Sequence, residues 1–326
     1  MDSLTQLALG ATVGAVCAPK QHRRSAAIVG GMLGTLPDLD VLISYQDPVD
    51  NFTRHRGFSH SLLVLVPAAF FLWLLACQIF DAVRTQRLRW FLVIALSLVT
   101  HPILDAHTIY GTQLFWPIVA PPLMWSTIFI IDPLYSIPLF ISTIYVLLKP
   151  GGQSSNTVVA CGLIISSIYL LWSWYAKSIV DNEARREISL LGIQSPVFFS
   201  VPTPFNTLAW RVVVMNGDQY LEGYYSFLNS DNGIKFASFP SGNHFYDVLT
   251  QSEGLNRLRW FSHGFLELRK IDGKLVASDI RMGAAPDYVF RFVLAEDQDA
   301  GLVPIPPERL RTPYTWDRVR KVFDRI

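Results

Sequence analysis

Residues 61–80 read SLLVLVPAAFFLWLLACQIF, a run of apolar side chains that contains no charged residue. A helix needs about 20 such residues to cross the hydrocarbon core of a bilayer. Residues 157–176, which read TVVACGLIISSIYLLWSWYA, meet the same condition. These two stretches predict an integral membrane protein.

Other apolar stretches in the first half of the chain are shorter or carry polar residues, and two of them are rich in glycine. Gly10 and Gly14, like Gly30 and Gly34, have the four-residue spacing that lets two helix backbones approach closely. We therefore predict an α-helical membrane bundle of about five to six membrane segments. The further candidate segments are residues 4–18, 25–44, 90–108 and 123–148.

The pattern changes after about Lys177, first to an amphipathic helix and then to short alternating runs separated by Asn-Gly and Asp-Gly turns. These runs predict a small α+β soluble domain with a mostly antiparallel sheet. The predicted boundaries are residues 1–180 for the transmembrane domain with a metal site, 181–209 for a connector and 210–326 for the β-rich domain.

Composition limits the classes of function. Hydrophobic residues make up 51% of the 326 residues, charged residues 16%, and the formal net charge is +1. No segment has the basic stripe expected of a nucleic-acid-binding protein, so we expect no nucleic-acid partner. Cys17, Cys77 and Cys161 lie in apolar runs, and no spacing among them predicts a disulfide framework or a cysteine-based zinc site.

Basic residues in short loops predict the orientation in the membrane. The basic clusters at residues 20–24 and 84–89 should face the cytoplasm. If all the segments cross, the loops at residues 45–60 and 111–122 and the C-terminal domain lie on the other side. The prediction is a multi-pass protein of the cell membrane, in bacteria the inner membrane, with its site on the non-cytoplasmic side.

Three histidine- and aspartate-containing motifs stand out against the apolar background, and the predicted topology brings them to the same face. A carboxylate inside a lipid-facing helix costs about 2.5–3.5 kcal/mol, so a group of them needs compensation. A divalent cation provides it, because it favours the deprotonated carboxylates and neutral imidazoles that bind it. The candidate metal ligands are Asp38, Asp40, His55, His60, His101 and Asp105.

The chemistry of these residues favours some metals over others. Mixed imidazole and carboxylate ligands without thiolate suit Zn or Mn better than Mg or Ca, and six ligands are enough for two ions. Arg56 offers a forked donor that matches a phosphate, and we predict Arg56, His60 and Asp105 as catalytic residues. The expected reaction is attack of a metal-activated water on a phosphoester or lipid-like ester.

Several motifs in the first 180 residues resemble those of the YdjM/YbcI group of membrane-bound metal-dependent hydrolases. They are MDSLTQLALG at 1–10, PDLD at 37–40, HRGFSHS at 55–61, HPILDA at 101–106 and YGTQLFWP at 110–117. The resemblance implies a metal site in the membrane domain. Many members carry a histidine at the position of Gln6, so the resemblance implies that the first segment of this chain contributes only an indirect contact.

Two other functions use the same residues. The carboxylates and imidazoles can form a proton or cation relay in a transporter, although the sequence has no inverted repeat. A regulatory membrane protein without catalysis, whose C-terminal domain binds a partner, is the third alternative. Each motif also has a structural interpretation, as a helix cap, a turn or a hydrogen-bonded pair.

Overall fold

The computed structural model describes residues 1–152, 154–230, 233–299 and 301–310. Contacts divide the described chain into two compact units. The helical unit contains residues 1–43, 56–174 and 204–206. The C-terminal unit contains residues 44–55, 175–203 and the described residues from 207 onward.

Short 3-10 helices and loops connect most helices up to α8, an irregular segment of residues 107–132 lies between α6 and α7, and four strands separate α8 from α9. The α-helices of the described residues are α1 Ser3–Cys17, α2 Arg23–Thr35, α3 Pro48–Arg54, α4 Leu62–Ile79, α5 Asp81–Thr85, α6 Arg87–Ala106, α7 Pro133–Leu148, α8 Ser155–Leu190, α9 Phe245–Val248 and α10 Glu253–Phe261.

Three of the described helices are long and apolar enough to cross a membrane, namely α4, α6 and α8. The helices α1 and α7 are apolar but shorter. The helical N-terminal region with candidate membrane helices is therefore confirmed, whereas the predicted number of five to six spans is not. The segment predicted at residues 123–148 becomes helical only at Pro133, where the side chain of Asp132 caps the first turn through Leu134 N at 3.1 Å.

Glycines bring α1 and α2 into close contact. A methyl group built on Gly10 would lie 2.2 Å from the carbonyl oxygen of Gly30, and one built on Gly34 would lie 2.7 Å from that of Gln6. No side chain fits in such a gap, so only glycine permits this approach. The spacing of the small residues thus has the packing role predicted from the sequence.

The C-terminal unit contains antiparallel sheets, as predicted. Within the described residues one sheet has the order β1-β2-β3-β4 and another the order β10-β9-β6-β5, and β7 pairs with β8. The strands are β1 Val197–Pro202, β2 Ala209–Asn216, β3 Gln219–Ser226, β4 Ala237–Pro240, β5 Leu266–Ile271, β6 Lys274–Asp279, β7 Gly283–Ala284, β8 Asp287–Tyr288, β9 Arg291–Gln298 and β10 Gly301–Leu310.

The last turns of α8 form part of the core of this unit. Buried residues recur every fourth position on this helix, at Ala176, Val180, Ala184 and Ile188, and they form one cluster with residues of β2 and β3 that include Trp210. The amphipathic pattern after Lys177 is therefore the continuation of α8. The predicted connector, residues 181–209, contains the end of α8 and the strand β1.

Residues 44–55, which were predicted as part of a loop at the membrane face, belong to the C-terminal unit. Their helix α3 places Phe52 against Phe261, with ring centroids 4.9 Å apart, and Phe52 also contacts Phe290 and Phe292. Asp50 forms an ion pair of 2.8 Å with Arg257. In the sequence, the features that indicate this packing are Phe52 and Asp50, an aromatic residue and a carboxylate within a polar stretch.

Candidate metal centre

Four side chains from distant parts of the helical unit meet at one point. One potential ligand atom from each of Asp38, His60, His101 and Asp105 lies within 4.8 Å of the other three. The two histidines and Asp105 are buried, and Asp38 is partly exposed. Any exchange with solvent at this group therefore takes place beside Asp38.

Local structure explains how each residue reaches this point. A 3-10 helix over Pro37–Leu42 follows α2 and carries Asp38, and another over Phe58–His60 precedes α4 and carries His60. His101 and Asp105 are four residues apart on α6, so they share a face of this helix. Pro102 lies inside α6, which continues past it to Ala106.

Five of the six distances among the four ligand atoms are close to the edge length of a tetrahedral metal site, and all six are within 4.8 Å. His60 Nε2 lies 3.5 Å from Asp38 Oδ1 and 3.2 Å from Asp105 Oδ2, while His101 Nε2 lies 3.4 Å and 3.5 Å from the same two oxygens. The two Nε2 atoms are 3.0 Å apart. Tetrahedral ligands at zinc bond lengths of about 2.0–2.1 Å would be separated by about 3.3–3.4 Å.

Hydrogen bonds to the other ring nitrogens define the tautomers. His101 Nδ1 lies 2.6 Å from the carbonyl oxygen of Gly34, so this nitrogen donates its proton. Ser59 Oγ donates to Asp40 Oδ2 at 2.7 Å and lies 2.9 Å from His60 Nδ1. Because Ser59 has one hydroxyl proton and uses it on Asp40, its oxygen accepts the proton of His60 Nδ1.

In the neutral imidazoles both Nε2 atoms therefore carry lone pairs, and these face each other and two carboxylate oxygens. Such an arrangement is repulsive without a cation between the atoms. Within the described residues, Asp105 Oδ2 is buried and has no hydrogen bond of good geometry. The four residues thus fit a divalent metal ion, with the tautomers fixed by neighbours as in known metal sites.

Further contacts hold Asp105 in place. Its Oδ2 forms an ion pair of 3.1 Å with Arg56 Nε, and its Oδ1 accepts from Gln6 Nε2 at 3.1 Å and contacts the amino group of Met1. Arg56 also donates from Nη1 to Thr108 Oγ1 at 2.9 Å. Gln6 thus contacts a carboxylate of the group through its amide nitrogen, and its indirect role at the centre stays a prediction.

Two of the six predicted ligands are not in the group of four. Asp40 Oδ2 lies 3.6 Å from His60 Nδ1, the ring nitrogen that faces away from the group, and it also accepts from Ser59 Oγ and from the backbone N–H of Arg56. His55 belongs to the C-terminal unit. Their roles as ligands stay predictions.

Two other polar residues of the membrane segments have structural partners. Tyr169 donates to Asp132 Oδ2 at 2.8 Å. His107 Nδ1 lies 2.9 Å from the carbonyl oxygen of Ile103, and the indole N–H of Trp174 donates to His107 Nε2 at 3.3 Å. Both residues therefore have hydrogen-bonding roles in the helical unit.

Sequence reasoning did not assign a positioning role to Ser59 or to the carbonyl of Gly34. The position of Ser59 directly before His60 is a signal that was available, because a hydroxyl next to a histidine can orient its ring. Gly34 offers no such signal, since its contribution is a backbone carbonyl whose position depends on the close packing of α1 and α2.

Apolar helices of membrane-spanning length and a buried histidine–aspartate group define a membrane protein with a candidate metal centre. A family model described as YdjM inner membrane protein matches residues 1–180. The chain therefore belongs to the YdjM inner membrane protein family, as its motifs indicated. No curated protein and no solved structure matches it.

Proposed function

We propose that this protein is a membrane-bound metal-dependent hydrolase that acts on a phosphoester or a lipid-like ester. The observation that carries the proposal is the convergence of Asp38, His60, His101 and Asp105 within 4.8 Å, with both imidazoles oriented by hydrogen bonds. This is a ligand set without thiolate, which suits Zn or Mn. The four ligands are enough for one ion.

A divalent ion in this group would supply a nucleophile at neutral pH by acidifying water, and it would polarise the ester. Asp38 is the ligand at the exposed side, so substrate approaches there. Arg56 holds Asp105 at 3.1 Å and adds a positive charge beside the centre. That charge would favour a phosphoester, since it opposes the negative charge that develops during attack.

The proposal is tested on the full chain purified in detergent. Bound metal is measured by elemental analysis, and hydrolysis is measured with chromogenic phosphomonoesters, phosphodiesters and carboxylic esters. We expect about one Zn or Mn per chain, hydrolysis of one ester class, loss of hydrolysis on chelation and recovery when the metal is restored.

The variant Asp105→Asn is the matched test, because it keeps the size of the side chain and removes a ligand charge. Asp81→Asn is its control, since Asp81 is an exposed residue at the start of α5 that is not in the group. The proposal would be contradicted if the purified wild-type protein contained no metal, or if Asp105→Asn hydrolysed the ester at the same rate as wild type.

A proton or cation relay is the second candidate, and the 3.0 Å separation of the two Nε2 atoms also favours it, because a proton shared between the imidazoles would stabilise the same contact. Reconstitution in liposomes distinguishes the two functions. A relay predicts proton or cation flux that falls in His101→Gln and does not respond to chelation. A hydrolase predicts ester cleavage without flux.

A further inference from the structure

A basic cavity lies at the opposite end of the helical unit from the candidate metal centre. It has a volume of about 410 Å³, within the range of about 300–1,000 Å³ that is usual for small-ligand sites. Arg89 lies near the start of α6, whereas Asp105 lies near its end, about 24 Å away at 1.5 Å per residue. The lining residues are Val16, Ala18, Pro19, Lys20, Gln21, Arg23, Gln86, Arg89 and Asn156.

The charges of this cavity have one sign. Lys20, Arg23 and Arg89 are positively charged, and among the described residues of its wall no carboxylate is present. Basic residues are common where helices leave a membrane, so their number alone does not make a site. Two further observations distinguish this group from ordinary basic residues at helix ends, namely the cavity and the environment of Arg23.

Arg23 forms the buried wall of the cavity, with only 4% of its surface exposed. Its Nη2 donates to Asn156 Oδ1 at 3.1 Å, which is a neutral partner. Its Nε is buried and, within the described part of the chain, makes no hydrogen bond. Among the described residues no carboxylate pairs with this guanidinium, and burying it with an unused donor costs free energy that a bound anion would offset.

Three helices begin beside this cavity. Arg23 is the first residue of α2, Gln86 is the N-cap residue of α6, and Asn156 is the second residue of α8. The first turn of a helix carries the positive end of the helix dipole, which favours an anion. The helix ends therefore add to the field of the three cations.

We propose that Lys20, Arg23 and Arg89 form a phosphate-binding site. The forked donors of arginine match the oxygens of a phosphate group, and lysine adds a mobile charge at the rim, where Lys20 and Arg89 are exposed. The phosphate group comes from an anionic lipid headgroup or is free in solution. This site is separate from the proposed function and does not depend on a bound metal.

The test uses the full chain in a neutral detergent, with binding measured by native mass spectrometry and by the shift of the unfolding temperature. The probes are dihexanoyl phosphatidylglycerol, dihexanoyl phosphatidylcholine and inorganic phosphate, each at matched ionic strength against chloride. Binding of phosphatidylglycerol alone assigns a lipid headgroup, and equal binding of inorganic phosphate assigns free phosphate. Binding of none of the three overturns the proposal.

The variant K20Q/R89Q removes two charges from exposed positions and should leave the fold intact. We expect its affinity for the bound probe to fall at least tenfold. The control R24Q/R87Q removes two exposed arginines that do not line the cavity, so its affinity should change less than twofold. Equal losses of affinity in both double variants would indicate a general effect of charge and would overturn the proposed site.

Discussion

His60 Nε2 and His101 Nε2 lie 3.0 Å apart, although 41 residues separate them along the chain. The two rings are nearly edge to face, with centroids 4.8 Å apart and an interplanar angle of 63°. Each ring is held by a hydrogen bond at its other nitrogen. The structure therefore points two imidazole lone pairs at one position, and a bound cation is the simplest way to stabilise them.

The first prediction concerns bound metal. His60→Gln and His101→Gln should each lower the metal content of the purified chain at least tenfold, because each removes one of four ligands. His22→Gln is the control, since His22 precedes α2 and contacts the ring of Trp90 instead. Elemental analysis is the measurement, and full metal content in either ligand variant would contradict the assignment.

The same measurement tests His55, which the sequence predicted as a ligand. The structure places this residue in the C-terminal unit and not in the group of four. We expect His55→Gln to retain the metal content of wild type. A loss as large as that of His60→Gln would show that His55 is a ligand in solution.

The second prediction concerns the hydrogen bond that orients His60. Ser59→Ala should weaken metal binding about 10- to 100-fold, which is the usual effect of losing a residue that orients a ligand. Ser59→Thr keeps the hydroxyl and should restore most of the affinity. Ser178→Ala is the control, because that exposed hydroxyl donates within its own helix, to Tyr175 O. Competition with a fluorescent chelator measures the affinity, and an unchanged value in Ser59→Ala would exclude the orienting role.

The third prediction concerns the contact of α1 with α2. Gly10→Ala should lower the unfolding temperature by several degrees or prevent folding, because the added methyl group would meet Gly30 O at 2.2 Å and the helices would have to separate. Gly31→Ala is the matched control, since its nearest neighbour would be 3.4 Å away. Thermal unfolding in detergent gives the comparison, and equal temperatures for the two variants would argue against this packing.

The fourth prediction concerns a buried ion pair in the C-terminal unit. Arg211 Nη2 lies 2.7 Å from Glu222 Oε2, and both side chains are at least 96% buried. Glu222→Gln leaves the guanidinium without its counter-charge and should lower the free energy of unfolding by about 3–5 kcal/mol. The exposed pair of Lys274 and Glu296, 2.9 Å apart, is the control, and Lys274→Gln should lower the free energy of unfolding far less, because solvent screens an exposed ion pair.

The pH dependence of this pair follows from the carboxyl group. Burial would raise the pKa of Glu222, but the charge of Arg211 outweighs burial and holds the pKa below its usual range. The stabilisation is thus present above the ordinary glutamate pKa and is lost as pH falls through the lower value of the folded state. Unfolding temperatures of wild type and Glu222→Gln should therefore converge in acid. A constant difference from neutral to acid pH would contradict this assignment.

The sequence by itself determined the presence of helices long and apolar enough to cross a membrane, the change of character after Lys177 and the residue types of the centre. Apolar length, strand alternation and the i, i+4 spacing of His101 and Asp105 are local properties, so they can be read from neighbouring residues. The glycine spacing predicted close packing for the same reason. The motifs also identified the family.

Only the tertiary structure decided which polar residues meet. It joined Asp38 to His60 and to α6, gave Asp40 an orienting role through Ser59, and placed residues 44–55 in the C-terminal unit. These relations depend on how far α1 and α2 approach and on where the chain turns between helices. Such distances arise from packing among segments far apart in sequence, and no local pattern encodes them.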